Sequence, residues 1–339
     1  MKVLKFLLFL ILIVLIGGAI YFGAKDGAYD ISQSKTIKAP NSLLFDTVNE
    51  YKTWESWGPW KEEDPNMTFS YPDKTSGVGG SYSWDGEFSG SMTTTNLVEN
   101  KSIEQDLTLV TPGGERYPEV YWSFEPTETG ETTVTWGMKG EHSFIDKLYY
   151  AVSGMNFDTE MEEMHQKGLN GIETHVNKAM RAYSISESTI TEYGGGFYLY
   201  KTSSASSSNI SAIMGQNYGE IMSLAAKNNI APAGMPFTIY NEMSDNGVVM
   251  SNAIPVRERV AIAGDSNILS GYLPTTKVVK TTLKGDYENL SAAWVKANTY
   301  IEQHNLEPNA LKPFEIYTND PGNYPNPADW TTDLYIPIK

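Results

Sequence analysis

The chain contains no cysteine. Thiolate nucleophiles, disulfide staples and cysteine-ligated zinc are therefore excluded. The absence suits oxidising and reducing compartments equally and does not place the protein. Histidine is scarce: His142, His165, His175 and His304 are the full set. None stands at a metal-ligand spacing, and Glu162-Glu163-Met164-His165 is not a zincin motif. They read as helix-surface or loop residues, and neither a metal nor a cofactor is expected. Basic residues are also in deficit, 25 Lys and Arg against 41 Asp and Glu, for a net charge of −16. A chain this acidic is a poor partner for a phosphate backbone, so nucleic acid is not expected to bind. Gly194-Gly195-Gly196 lacks the spacing of a dinucleotide cradle and reads as a turn or bulge entering a strand. No Ser/His/Asp set can be argued from the spacings.

What is present begins with an uncharged apolar run from Phe6 to Phe22. It is at the short end of a membrane-spanning helix. Lys2 and Lys5 precede it, which favours a cytoplasmic N-terminus with the remainder across the membrane, extracytoplasmic or periplasmic. Gly23-Ala24-Lys25 offers no small-x-small cleavage site and the run is long for a signal core. Residues 1–27 are therefore read as an anchor, with a cleaved signal peptide as the competing reading. The 339 residues leave room for two further domains.

From Asp30 the chain alternates like a strand up to Pro40. Asn41–Tyr51 reads as a short helix with Leu43, Leu44 and Val48 on one side and Asn41 or Ser42 as a cap. Strand patterns follow at Ser81–Phe88 and Ile103–Leu109. In two more, Val120, Trp122 and Phe124 share one face, and Val134, Trp136 and Met138 share another. A long helical pattern through Met161, Met164, Leu169, Ile172, Val176 and Met180 closes the region. Its acidic start, Asp158 to Glu163, suits the helix dipole better than a metal. One amphipathic helix over a curved antiparallel sheet is the expected architecture. The phrases IKAP, YKTWESWGPW, WDGEFSG, TTVTWGM and HQKGLNGIETHV resemble the polyketide-cyclase/START-like (SRPBCC) superfamily over residues 28–182. That resemblance implies a helix-grip fold with a hydrophobic cavity. Trp60, Trp84, Trp122 and Trp136 are either its lining or plain core.

The last region repeats itself. Pro-Phe-Thr-Ile-Tyr at 236–240 returns as Pro-Phe-Glu-Ile-Tyr at 313–317. Each copy follows a helical stretch that opens at Asn209-Ile210 or Asn289-Leu290 and ends at Asn229-Ile230 or Asn305-Leu306. Each is followed by an Ile-Pro strand. Strand patterns at Phe197–Lys201 and Lys277–Leu283 start the units, and Ser203–Ser208 reads as a flexible loop. The predicted fold class is α+β, with residues 183–339 forming a duplicated βαββ domain of pseudo-two-fold symmetry. Alternation puts the Glu315 side chain on one face with Tyr317. The first copy has Thr238 at that position, so symmetry does not require an acid there.

PFEIYTNDP followed by DWTTDLYIPIK resembles the gyrase-inhibitor-like family, the effector-binding domain of multidrug-responsive regulators. The resemblance implies a groove for aromatic or cationic small molecules with Glu315 as its central acid. Tyr317, Tyr240, Thr238, Trp294 and Trp330 are the further candidate site residues. Unlike those regulators, this chain shows no helix-turn-helix segment. The expected function is a membrane-anchored small-molecule-binding protein that senses, sequesters or transfers hydrophobic or aromatic-cationic ligands. The alternative is a hydrolase of strained electrophilic small molecules with Glu315 as general acid or base, as some relatives resemble; the sequence leaves catalysis open.

Overall fold

The computed structural model describes residues 2–111, 114–244, 247–262 and 266–339. The side chains of residues 2, 3, 5, 14 and 15 lie outside that description, among them Lys2 and Lys5 of the charge argument. The chain divides into two units, residues 1–178 and 179–339.

The first unit opens with helix α1 (Lys2–Ala24). Its segment Phe6–Ala24 is long and apolar enough to cross a membrane. Strand β1 (Ala28–Ile37) leads to α2 (Asn41–Asn49) and the short turns α3 (Trp54–Trp57) and α4 (Trp60–Glu63). Pro40, not Asn41 or Ser42, caps α2, without a side-chain bond; Asn41 instead donates to the Asn100 carbonyl (2.9 Å). Leu44, Phe45 and Val48 are its buried face. Strands β2 (Thr68–Ser70), β3 (Ser81–Asp85), β4 (Ser89–Val98), β5 (Ser102–Thr111), β6 (Gly114–Arg116), β7 (Glu119–Pro126) and β8 (Thr132–Glu141) follow. All pair antiparallel, in the order β1-β8-β7-β5-β4-β3-β2, with β6 on β5. The predicted Ser81–Phe88 strand stops at Asp85, where a turn begins the return into β4.

Helix α5 (Phe144–Ser153) precedes α6 (Phe157–Met180). Leu169, Ile172 and Val176 form the buried stripe of α6, each contributing about 1.5–3 kcal/mol on burial. Val120, Trp122, Phe124, Val134, Trp136 and Met138 are buried, as their alternation requires. The tryptophans pack on one another: Trp122 stacks on Trp136 (4.6 Å) and Trp54 on Trp60 (5.6 Å). His165 is not on the helix surface. It is fully buried, its ring tilted against Trp136 at 4.5 Å, and burial lowers its pKa to about 4. Helical spacing shows that residues 165, 169, 172 and 176 share a face, but the polarity of histidine masked its membership.

The second unit is one antiparallel sheet carrying two helices. Its elements are β9 (Ser184–Ile185), β10 (Thr189–Tyr193), β11 (Gly196–Ala205), α7 (Ile210–Lys227), β12 (Phe237–Ser244), β13 (Gly247–Val256), β14 (Leu269–Leu273), β15 (Thr276–Lys284), α8 (Leu290–Gln303), β16 (Phe314–Tyr317) and β17 (Thr331–Pro337). The strand order is β10-β15-β17-β16-β12-β13-β11-β14, with β9 on β15. Ser203 and Ser204 continue β11, so the predicted serine loop begins only at Ser206.

Helix α7 packs through Ile221 and Ala225 on Leu199, Ile254 and Val256. Helix α8 packs through Ala297 and Ile301 on Val279, Leu334 and Ile336. A separate cluster joins Phe237, Ile239, Ala253, Leu273, Val278, Phe314 and Tyr335. Both helices end on a left-handed asparagine, Asn229 (φ 55°) and Asn305 (φ 51°). The next amides reach back, Ile230 to the Ala225 carbonyl (2.8 Å) and Leu306 to that of Ile301 (3.0 Å). These are the helix-closing bonds that a left-handed residue permits.

Candidate functional site

The two Pro-Phe-x-Ile-Tyr strands lie side by side at the centre of the second sheet. In β12 and β16, Phe237 pairs with Ile316, Thr238 with Glu315 and Ile239 with Phe314. Alternation sends Phe237, Ile239 and Phe314 into the aromatic cluster away from the helices. It sends Thr238, Tyr240, Glu315 and Tyr317 to the opposite face, where residues of α7 and α8 meet them.

Glu315 is 1% exposed. Its Oε2 accepts from the hydroxyls of Tyr240 (2.7 Å) and Tyr317 (3.0 Å). Its Oε1 accepts from the Trp294 indole N–H (2.7 Å). All three donors are neutral. Burial raises the Glu315 pKa above the ordinary carboxyl value, and the bonds from Tyr240, Trp294 and Tyr317 oppose that rise without cancelling it. Tyr240 and Tyr317 are pushed well above the ordinary phenol value, first by burial and then by the Glu315 charge.

Thr238 continues the network on the other strand. Its Oγ1 accepts from Asn252 Nδ2 (2.9 Å), and lies within bonding distance of the hydroxyls of Tyr218 (2.9 Å) and Tyr317 (3.2 Å). Asn217 then donates to Asn252 Oδ1 (2.8 Å). Polar groups from α7, α8, β12, β13 and β16 thus form one buried chain. Such a chain is stable only when its members are satisfied together.

Of the residues singled out by sequence, Glu315, Tyr317, Tyr240, Thr238 and Trp294 meet in this network. Trp330 does not touch Glu315. Its indole donates to the Tyr324 carbonyl (2.6 Å), and its ring lies against Tyr287 (4.8 Å). Tyr287 in turn meets Tyr317 edge-on (5.5 Å), so Trp330 is two rings from the carboxylate. Sequence reasoning missed Tyr218, Asn217, Asn252 and Tyr287. Tyr218 stands at helical spacing from Ile221 and Ala225, so by pattern it reads as packing. Asn217 and Asn252 are buried polar residues inside regular elements, which a propensity reading passes over.

An open groove of about 780 Å³ lies nearby, lined by Ser204, Ala205, Asn241, Val248, Val249 and Lys312 among others. Glu315 is not among its lining residues. The two are joined by a cluster of Ala205, Tyr240 and Met250, with Val248 and Trp294 packed on it. Two of the three donors to Glu315 therefore belong to a cluster that includes Ala205 and Val248 of the groove lining. Among the described residues, no group of His, Asp or Glu could hold a metal ion.

A family comparison covers the residues of this site. Residues 198–339 match the GyrI-like small molecule binding domain. The GyrI-like match falls within the second unit; the START-like expectation for residues 28–182 gains no support from the comparisons. No curated protein matches the chain.

Several solved structures are similar. The crystal structure of the EcmrR C-terminal domain is 22% identical, covering 46% of this chain and 98% of that chain, with a TM-score of 0.37. A cryo-EM structure of an EcmrR–DNA complex is 15% identical, covering 59% of this chain and 86% of that one, with a TM-score of 0.40. Protein CV1439 from Chromobacterium violaceum is 12% identical, covering 43% and 95%, with a TM-score of 0.34.

Proposed function

We propose that the protein is a membrane-anchored binder of hydrophobic or aromatic-cationic small molecules that senses, sequesters or transfers its ligand through the GyrI-like domain. The observation that carries this reading is the Glu315 carboxylate, fully buried and held by three neutral donors. When ionised it places a charge in a low-dielectric site with no formal positive charge among those donors. A planar cation would supply that charge, and the Trp294 and Tyr240 rings, edge to face at 5.6 Å, would add aromatic contact. Tyr317 and Thr238 would hold the far side of the ligand, and Trp330 would bear on it through Tyr287.

The paired units are read as copies of one βαββ element. The central β12–β16 pair and the matched left-handed asparagines support that reading, as do the equivalent bridges Pro232–Val256 and Pro308–Ile338. For residues 28–182, the START-like reading draws support from the curved antiparallel sheet and the buried stripe of α6. For residues 1–27, the apolar helix supports an anchor and the basic N-terminus supports a cytoplasmic start. The net charge of −16 argues against nucleic acid as a partner.

Hydrolysis with Glu315 as acid or base is the weaker reading. Three of the roughly four lone-pair sites of a carboxylate are already taken by protein donors, which leaves little room for a water. Melting shifts with the planar aromatic cation proflavine test the binding reading. The wild-type shift should be lost in Glu315→Gln, and equal shifts in both proteins would remove Glu315 from the site. A periplasm-dependent reporter fused after Lys339 tests the topology and should be active.

A further inference from the structure

Helix α5 has its apolar face outward. Ile145, Leu148, Tyr149 and Val152 recur at helical spacing and are all exposed, Val152 by 80%. Phe144 and Met155 extend the same surface. No residue of α5 is buried. A contiguous apolar patch on one helix face marks an interaction surface, unlike isolated exposed apolar residues.

The opposite face of α5 is firmly held. Ser143 and Asp146 form a reciprocal capping box at its start. Arg116 grips Asp146 with two bonds of 2.7 Å and reaches Ser143 Oγ at 3.1 Å. Tyr150 packs into a wedge with His142 (5.1 Å) and Phe157 (5.5 Å), and both of those rings contact Tyr29 at the start of β1. The helix is thus fixed by its polar and aromatic side, with the aliphatic side turned out.

Its position identifies the occupant. Helix α5 packs beside the C-terminal end of α1. The Lys147 ammonium donates to the Lys25 carbonyl, and the His142 amide donates to the Gly27 carbonyl (2.8 Å). Lys25 and Gly27 lie immediately beyond Ala24, the last residue of the apolar helix. The outward face of α5 therefore begins where the apolar surface of α1 ends.

We propose that α5 is an interfacial membrane helix, lying in the headgroup region of the bilayer that α1 enters. Ile145, Leu148 and Val152 sit among the upper acyl carbons, with Tyr149 at the aromatic interface level. Lys147, at the α1 junction, is suited to phosphate headgroups. The α5 contact sets the base of the first unit against the membrane surface. The proposal rests on the anchor reading for its geometry.

The absence of native cysteine allows clean single-site labelling. The full chain, reconstituted in phosphatidylethanolamine/phosphatidylglycerol vesicles, would carry the fluorophore NBD at Ile13→Cys, Val152→Cys or Thr129→Cys. Lipids bearing a nitroxide near the headgroup or near the acyl terminus serve as quenchers. The proposal expects Val152→Cys to be blue-shifted and quenched most by the shallow nitroxide, Ile13→Cys most by the deep one, and Thr129→Cys by neither. Quenching at position 13 without quenching at 152 overturns the α5 assignment and leaves the anchor standing. No quenching at either position overturns both. Quenching at 152 alone removes the anchor and overturns the proposal, since α5 would then meet lipid without the bilayer entry of α1. A label at 152 shielded in detergent as well as in vesicles, insensitive to either nitroxide, would assign the face to a second copy of the chain and overturn the lipid proposal.

Discussion

Thr238 and Glu315 face each other across the β12–β16 pair, and the Tyr317 hydroxyl stands within bonding distance of both, 3.2 Å from Thr238 Oγ1 and 3.0 Å from Glu315 Oε2. The hydroxyl couples the neutral strand to the charged one. Its single proton can serve only one of them at a time. A change in the charge of Glu315 is therefore felt at Thr238, Tyr218 and Asn252.

The first prediction concerns pH. The folded-state pKa of Glu315 is raised by burial. Its contribution to stability is fully present below the unfolded-state pKa and is lost as pH rises through the folded value. Glu315→Gln has no such loss, so it should gain stability relative to wild type as pH rises from about 4, the unfolded carboxyl value, through the raised folded value. Urea titrations of both proteins across that range measure the gap; a gap independent of pH would refute the assignment.

Trp294→Phe keeps a ring over the site and removes the indole N–H that Glu315 Oε1 accepts. A bond to a charged group contributes about 1.5–3 kcal/mol, so a loss of that order is expected near neutral pH. The loss should shrink at low pH, once the carboxyl is protonated. Denaturant midpoints at the two pH values distinguish this from simple loss of packing, which would cost the same at both.

Gly171 lies in the interior of α6, where alanine is normally better by roughly 1 kcal/mol. Here the sign should reverse. A Cβ at Gly171 would stand 2.0 Å from the Trp57 carbonyl oxygen and 2.9 Å from its carbon. Backbone atoms cannot swing aside as a flexible side chain can, so Gly171→Ala should lower the melting temperature of the first unit. An unchanged or raised value would mean that α6 and the Trp57 turn are not in close contact.

Asn305 closes α8 with φ at 51°. Asn305→Gly should be tolerated, whereas Asn305→Ala should cost up to about 1 kcal/mol, because alanine keeps the Cβ but lacks the short polar side chain that lets asparagine adopt left-handed backbone. Calorimetric melting of the pair of variants measures the difference.

Much of this architecture is legible in the residues. The Asn-Ile and Asn-Leu helix ends at 229–230 and 305–306 follow from the tolerance of asparagine for left-handed backbone. The strand faces of Val120–Phe124 and Val134–Met138 follow from alternation. His165 was misplaced because a histidine at a buried helical position looks, by composition, like any polar surface residue. Helix α5 was not separated from its surroundings. Its outward apolar face gives the same periodic signal as an inward one, and only the surrounding chain shows which way it turns.

At the site, sequence by itself determined that Glu315 and Tyr317 share a face, that Thr238 and Tyr240 share the equivalent face of the other copy, and that one copy alone carries an acid. Each follows from the two-residue period of a strand and needs no tertiary information. Only the fold decided that Tyr240, 75 residues away, and Trp294, 21 residues away, would hold the carboxylate while Trp330 stays two rings out. Local periodicity fixes the direction of a side chain. The groups that meet it are supplied by strand register and helix packing, which depend on contacts between distant parts of the chain.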